Sequence, residues 1–131
     1  MNTVTQIRAD SSIIFLPCSD IGKTIGFYTE MIGLTIAQKQ GESSVIFDTG
    51  YGYIGFVQYS DERPLLSGPK GVCISLNCKD KEDVDQHYLC YVERGGKVQQ
   101  IPSRHPKFPV YSCFVADPDD YTVEFQIILS E

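Results

Sequence analysis

Few residues of this chain could do chemistry by themselves. There are two histidines, His87 and His105, and five cysteines. Because five is an odd number and no Cys-x2-Cys pair occurs at zinc-ligand spacing, the cysteines are predicted to be free thiols in a reducing compartment. Four of them lie inside apolar runs and are predicted to be buried: Cys18, Cys73, Cys78 and Cys113. No Ser-His-Asp arrangement, phosphate-binding loop or dinucleotide-binding glycine pattern occurs, so no catalytic centre follows from a motif alone.

The elements that must position these residues follow a pattern that occurs twice. Residues 13–20 form an apolar run that ends in Ser19-Asp20 and opens an amphipathic helix pattern. Residues 73–80, sixty positions later, repeat both the run and the helix opening. A repeat of this kind indicates one duplicated supersecondary unit, with neither half able to bury its apolar face alone. A ligand pocket is then expected between or within the paired sheets, lined from both halves.

The first half is predicted to span about 11–60. It begins with a strand at 12–17 and a helix that Asp20 caps and Gly33 ends. Three short strands are predicted to follow, at 34–38, 44–48 and 53–59. Residues 61–70 hold two prolines, a glycine and charges, and are predicted to link the two halves.

The second half is predicted to span about 71–131 and to repeat the order of the first. Its elements are a strand at 72–78, a helix at 80–92, a strand at 97–101, a proline-rich loop at 102–109, and a hairpin of strands 111–116 and 121–129. The buried stripe of the helix is predicted to consist of Val84, Tyr88, Leu89 and Val92. The predicted fold class is therefore α+β, with two tandem βαβββ modules in one domain.

Composition excludes several classes of partner. The chain has 131 residues, 42% of them hydrophobic, which suits one globular domain. Its net charge of −6 argues against nucleic acid, which is bound by basic surfaces. No run approaches the roughly 18 apolar residues that span a bilayer, so no membrane association is predicted. Residues 1–10 are polar and show no signal-peptide pattern, which predicts a cytoplasmic location.

Two segments resemble the motifs of one known family. The first is Phe-Leu-Pro-Cys-Ser-Asp at 15–20, followed by Gly-Phe-Tyr-Thr-Glu-Met-Ile-Gly-Leu at 26–34. It resembles the opening of the glyoxalase/bleomycin resistance/extradiol dioxygenase superfamily. The second, at 114–125, resembles that family's Asp-Pro-Asp-Gly turn and the Glu-Phe strand after it. The resemblance implies a vicinal oxygen chelate fold, in which the paired modules curl into an open mixed-sheet cup.

For metal-dependent members, the resemblance implies one ligand on the first strand and one on the last strand of each module. Carried over to this chain, the first-strand positions fall on Ile13 and Cys73. The last-strand positions fall on Glu124 and on Phe56, or on Gln58 if the pairing slips by two. Because this set cannot chelate a borderline divalent metal, we predict neither a metal nor a cofactor at these positions.

The same positions, together with their neighbours, predict a ligand pocket. The predicted ligand-binding residues are Tyr53, Phe56, Gln58, Cys73, His105, Glu124 and Gln126. The Glu124 carboxylate is the candidate catalytic group, as a base, or the anchor for a cationic or hydroxyl-bearing ligand. The alternative is that Glu124 has no function and is retained only from the family pattern, with its carboxylate hydrogen-bonded to a nearby hydroxyl such as that of Thr122 or Tyr53.

Four residues keep two interpretations each. Cys73 is either a nucleophile or a core thiol, because a reactive thiolate requires a cationic neighbour that the sequence does not place beside it. His105 and Arg104 either meet an anionic ligand from the 102–109 loop or belong to a plain surface loop. His87 is predicted to be a solvated helix position, the alternative being a functional group.

Two classes of function stay open. The favoured one is a metal-free small-molecule-binding protein of the bleomycin resistance type, with an aromatic-walled pocket. The alternative is a glyoxalase-like lyase or an extradiol-type dioxygenase with an atypical divalent metal site. Family resemblance and the uncovered sheet edges also predict a homodimer with an isologous interface.

Overall fold

The computed structural model describes residues 8–64 and 68–130; residues 65–67 of the predicted linker and the last residue of the second module lie outside the described part. The elements of the first half are β1 (Ile13–Pro17), α1 (Ile21–Gly26) with a π-helical segment (Phe27–Ile32), β2 (Thr35–Lys39), β3 (Ser44–Asp48) and β4 (Tyr53–Val57). Those of the second half are β5 (Cys73–Asn77), α2 (Lys81–Glu93), β6 (Val98–Arg104), β7 (Val110–Ala116) and β8 (Thr122–Ile128).

The strands form two four-stranded sheets of the same topology. The strand order is β1-β4-β3-β2 in the first sheet and β5-β8-β7-β6 in the second. In each sheet the first and last strands of the module are parallel, and the remaining pairs are antiparallel. The predicted tandem βαβββ arrangement is therefore confirmed, and β1 and β5 occupy equivalent edge positions.

Short-range hydrogen bonds fix the start of each helix. The Asp20 carboxylate accepts from Lys23 N at 3.2 Å, and the Asp80 carboxylate accepts from Asp83 N at 2.7 Å. Both are N-caps, which satisfy a helix donor that has no partner in the first turn. At the other end of the first helix, Gly33 adopts φ 92°, a left-handed conformation that costs glycine little.

One hydrophobic core serves both modules, and it lies on the helix-facing sides of the two sheets. Tyr28 is fully buried, stacks on Phe56 at 4.8 Å and donates a hydrogen bond to Asp117 of the second module at 2.8 Å. Tyr121 donates in return to the carbonyl oxygen of Pro17 at 2.8 Å. Because each module supplies part of this core, neither half buries its apolar face alone, as the repeat indicated.

The buried stripe of α2 differs from the predicted one. Val84 and Tyr91 are buried, whereas Leu89 and Val92 are 49% and 41% exposed. The Tyr91 ring lies against Gly96, where any side chain would overlap it, and its hydroxyl donates to Lys97 O at 3.0 Å. That contact turns the Tyr91 side of the helix, and not the Leu89 side, toward the sheet.

Two other predictions are corrected. The segment 102–104 belongs to β6 and not to a loop, because β6 is an edge strand whose irregular register accommodates Pro102. All five cysteines are free, and Cys73 is exposed where burial was predicted. Over the residues that the structure describes, no helix is long and apolar enough to cross a bilayer.

Candidate functional site

A groove lies between the edge strands β1 and β5, and both modules line it. It encloses about 250 Å³. The lining residues are mostly apolar: Ile14, Leu16, Thr49, Tyr53, Ile54, Val72, Cys73, Ile74, Ser75 and Leu76. Neither edge is hydrogen-bonded to the other, so the groove follows the line along which the duplicated sheets meet without joining.

A small polar cluster borders this groove on the second sheet. Ser75 pairs with Glu124 across the parallel strands β5 and β8, and its hydroxyl donates to Glu124 Oε1 at 2.5 Å. The Cys73 thiol lies 3.8 Å from the same oxygen and 3.5 Å from the Ser75 hydroxyl. Glu124 is 8% exposed and lies behind the groove. Cys73 and Ser75, which line the groove, separate its carboxylate from the groove itself.

The cluster does not activate its thiol. Although the Cys73 residue is exposed, partial removal of its sulfur from water raises the pKa of the thiol; the neighbouring Glu124 charge raises it further, while the Ser75 hydrogen bond opposes both. A raised pKa keeps the thiol protonated near neutral pH, whereas a nucleophilic cysteine requires the reverse. The geometry therefore favours a hydrogen-bonding role for Cys73 over a nucleophilic one.

The equivalent face of the first sheet is apolar. Cys18 N donates to Val57 O and Cys78 N donates to Gln126 O, which makes Val57 the counterpart of Gln126 and Gly55 the counterpart of Glu124. Phe15 pairs with Gly55, and a Cβ added at Gly55 would overlap the Phe15 ring. An aromatic ring therefore covers the position where the second sheet holds its carboxylate.

This register corrects two predicted positions. Phe56 is the counterpart of Phe125, not of Glu124, and its fully buried ring packs between Tyr28 and Phe47 on the helix side of the sheet. Gln58 lies past the end of β4, where its side-chain oxygen accepts from Ile21 N at 2.8 Å and so caps α1. Neither residue lies on the face that carries Glu124.

The other predicted residues fall in three places. Tyr53 is 36% exposed and lines the groove, as Cys73 does. Gln126 shares the face of Glu124, and its amide donates to the Asn77 side chain at 3.0 Å. His105 lies beyond β6 in the hairpin loop, where its Nδ1 accepts from Lys107 N at 3.0 Å and from Phe108 N at 3.1 Å. Those two bonds commit Nδ1 to holding the loop.

The positions at which metal-dependent relatives would bind a metal do not fit one here. On the first sheet they carry Ile13 and Gly55, neither of which has a ligand atom in its side chain. On the second sheet they carry Cys73 and Glu124, joined by the hydroxyl of Ser75. A single carboxylate with one protonated thiol is too small a donor set for a borderline divalent ion.

The sequence pattern did not single out Ser75 or Phe15. The signal for both was present in the repeat, because Ile-Gly-Phe-Val at 54–57 aligns with Val-Glu-Phe-Gln at 123–126 through the shared phenylalanine. That alignment places Gly55 opposite Glu124 and, by the parallel pairing, Phe15 opposite Ser75.

Comparisons with known proteins agree on one fold. The family model for the Glyoxalase/Bleomycin resistance protein/Dioxygenase superfamily matches residues 11–125. Among curated proteins, no sequence matches the chain.

A glyoxalase/bleomycin resistance protein/dioxygenase from Nocardioides superposes with a TM-score of 0.76 at 17% identity, over 97% of this chain and 88% of its own. A hypothetical protein from S. aureus gives 0.74 at 25% identity, over 93% and 96%. A lactoylglutathione lyase from Agrobacterium tumefaciens gives 0.72 at 18% identity, over 93% and 96%. These likenesses establish the fold, while the chemistry of the site depends on this chain's own residues.

Proposed function

This chain belongs to the glyoxalase/bleomycin resistance protein/dioxygenase superfamily, and from that premise we propose that it binds a small planar or amphipathic molecule without a catalytic metal. The binding site in this proposal is the groove between β1 and β5. The observation that carries it is that the first sheet's two ligand positions hold Ile13 and Gly55, beside an apolar groove.

The shape and chemistry of the groove support a ligand with an apolar body. A cavity of about 250 Å³ lies just below the usual size range of small-molecule sites, which are mostly apolar with a few placed polar groups. Tyr53 offers an aromatic face, and Ile14 and Leu76 offer aliphatic walls. A planar molecule that enters here replaces water against apolar surface on both sides.

The polar end of the groove supports a ligand that carries a positive charge or a hydroxyl group. Cys73 and Ser75 line the groove, and both contact Glu124. A ligand donor that displaces the Ser75 hydroxyl from Glu124 gains a hydrogen bond to a charged acceptor. Such bonds contribute about 1.5–3 kcal/mol.

Titration with a planar cationic dye, ethidium, tests the proposal by fluorescence and calorimetry. Glu124→Gln is expected to weaken binding by about 10- to 150-fold, the equivalent of one charged hydrogen bond. Tyr53→Ala is expected to weaken it by about 2- to 10-fold through loss of the aromatic contact. Glu42→Gln and Tyr51→Ala remove the same groups from exposed turn positions and should leave binding unchanged.

The alternative function has a distinct signature. A glyoxalase-like lyase or an extradiol-type dioxygenase would turn over substrate only with an added divalent metal. The Glu124→Gln variant would lose this metal-dependent turnover. Metal-dependent turnover of that kind would overturn the proposal. Equal loss of dye binding in Tyr51→Ala and Tyr53→Ala would also overturn it, since the groove would then not be the site.

A further inference from the structure

A second group of reactive side chains lies on the opposite side of β5 from Glu124. Within the part of the chain that the structure describes, Cys78, Asp83 and His87 each place one possible metal-ligand atom within 4.8 Å of the others. Cys78 follows the end of β5 and is buried, and Asp83 and His87 lie one turn apart on α2. The spacing i, i+4 puts both helix residues on one face of α2.

The hydrogen bonds of this group leave one ring nitrogen of His87 available to a metal, while the Cys78 thiol lies 4.0 Å from the carbonyl oxygen of Leu76. His87 Nδ1 lies 2.7 Å from the carbonyl oxygen of Asp83, and because a carbonyl only accepts, Nδ1 must donate. The lone pair of the ring is therefore on Nε2. Asp83 Oδ2 accepts from Lys79 N at 3.0 Å, while Oδ1 lies 3.3 Å from His87 Nδ1, the nitrogen that donates to the carbonyl. A histidine oriented by a backbone carbonyl is a common arrangement behind metal ligands.

Negatively charged side chains around the cluster favour binding of a cation. Asp80, Glu82 and Asp83 all lie at the start of α2. The carboxylates around the cluster would attract a divalent cation, which would displace the thiol proton of Cys78 when it binds.

A cavity also reaches two of the three residues. Cys78 and His87 line a cavity of about 160 Å³ at the junction of the modules, closed on the other side by Ile32, Gly33 and Leu34. Tetrahedral zinc with one sulfur and one nitrogen ligand holds those two atoms about 3.5 Å apart. Side-chain movements of about 1 Å would bring the ligand atoms to this separation. The cavity leaves room for a fourth ligand from solvent.

We propose that Cys78, Asp83 and His87 form a binding site for a borderline divalent cation, of which Zn²⁺ is the best match, with a water molecule as fourth ligand. Thiolate, imidazole and carboxylate together are a donor set typical of zinc. The site is separate from the ligand groove, and it uses none of the positions that metal-dependent relatives would use.

Cobalt substitution tests this site directly. Chelator-treated protein titrated with Co²⁺ should develop a thiolate-to-cobalt charge-transfer band and tetrahedral d–d bands that saturate at one equivalent. Zn²⁺ should abolish these bands and should raise the melting temperature, because it binds the native state. His87→Gln, at an exposed position, should weaken binding at least about tenfold without loss of the fold, and Cys78→Ser should remove the charge-transfer band.

Matched controls separate this site from others. Cys90→Ser changes an exposed cysteine on the same helix, and His105→Gln changes the second histidine of the chain. Both should keep the cobalt spectrum of the parent, as should Glu124→Gln, which acts only on the ligand groove. A missing charge-transfer band, or a spectrum that survives in His87→Gln and disappears in Cys90→Ser, would overturn the proposal. Either result would leave the dye-binding test of the groove unaffected.

Discussion

At the scale of single residues, the contact between Cys73 and Glu124 means that the carboxylate influences the pKa of the thiol. The negative charge of Glu124 contributes to the raised pKa of Cys73, and Glu124→Gln removes it without changing shape. The pKa of Cys73 should then fall, and each unit multiplies the thiolate fraction tenfold below the pKa. We expect iodoacetamide to alkylate Cys73 about two- to tenfold faster in the variant at pH 7.5.

Mass spectrometry of the labelled peptides measures this rate for each cysteine separately. Cys90 is exposed on α2 and serves as the internal reference within every sample. Its rate should be the same in both proteins. A Cys73 rate that is unchanged or lower in Glu124→Gln would show that the two side chains do not interact in solution.

Local chemistry made some residues predictable and left others out of reach. Asp20 and Asp80 were predictable as N-caps because a cap depends on a few neighbouring residues. Phe56 was misplaced because its partner is set by the register of a strand about forty residues away. A shift of one residue in a strand exchanges its two faces, so that single step exchanged a core ring for a pocket wall.

At the scale of elements, the pairing of β1 with β4 depends on Gly55. The Phe15 ring lies across this glycine, and Phe15 is 43% exposed. Gly55→Ala places a methyl group inside the space of the ring, so Phe15 must leave its position or the strands must separate. We expect a loss of about 1–3 kcal/mol in the free energy of unfolding, measured by urea denaturation.

The double variant Phe15→Ala/Gly55→Ala isolates this contact. With the ring absent, the methyl group meets open space, and alanine is at least as favourable as glycine in a strand interior. The cost of Gly55→Ala should therefore largely disappear in the Phe15→Ala background, giving a coupling energy of about 1 kcal/mol or more. Additive losses in the two single variants would contradict the proposed overlap.

The elements themselves were predictable to different degrees for physical reasons. Strands and helices with strong periodicity or clear caps were predicted close to their observed bounds. The repeat helped, because each type of element occurs in both halves of the sequence. The end of β6 was not, because Pro102 normally ends a strand and only its edge position allows it. The buried face of α2 depended on the packing of Tyr91 against Gly96, which helix periodicity does not contain.

At the scale of the whole molecule, the edge strand β1 leaves apolar surface uncovered. Its residues Ile13, Ile14 and Phe15 are 39%, 66% and 43% exposed, and Tyr53 beside them is 36% exposed. An exposed apolar edge strand is a template for pairing with another chain, and soluble proteins usually protect such edges with charge or cover them. This edge has no charged residue between Ile13 and Pro17. We propose that a second copy of the chain covers it, as an isologous homodimer whose interface closes one side of the ligand groove that Ile14 and Tyr53 also line.

Ile14→Lys tests this assembly because it places a charge in the middle of the uncovered edge. Light scattering should show a dimer for the parent at micromolar concentration and a monomer for the variant, with the dissociation constant raised at least about a hundredfold, since an unpaired ammonium is costly to bury. The unfolding free energy of the isolated chain should change by no more than about 0.5 kcal/mol, because Ile14 is mostly exposed in it. Ile101→Lys makes the same change at a site of 63% exposure on β6, the outer edge of the other sheet, and should remain dimeric. A monomeric parent protein would refute the dimer, and dissociation by Ile101→Lys alone would place its interface on β6 instead of β1.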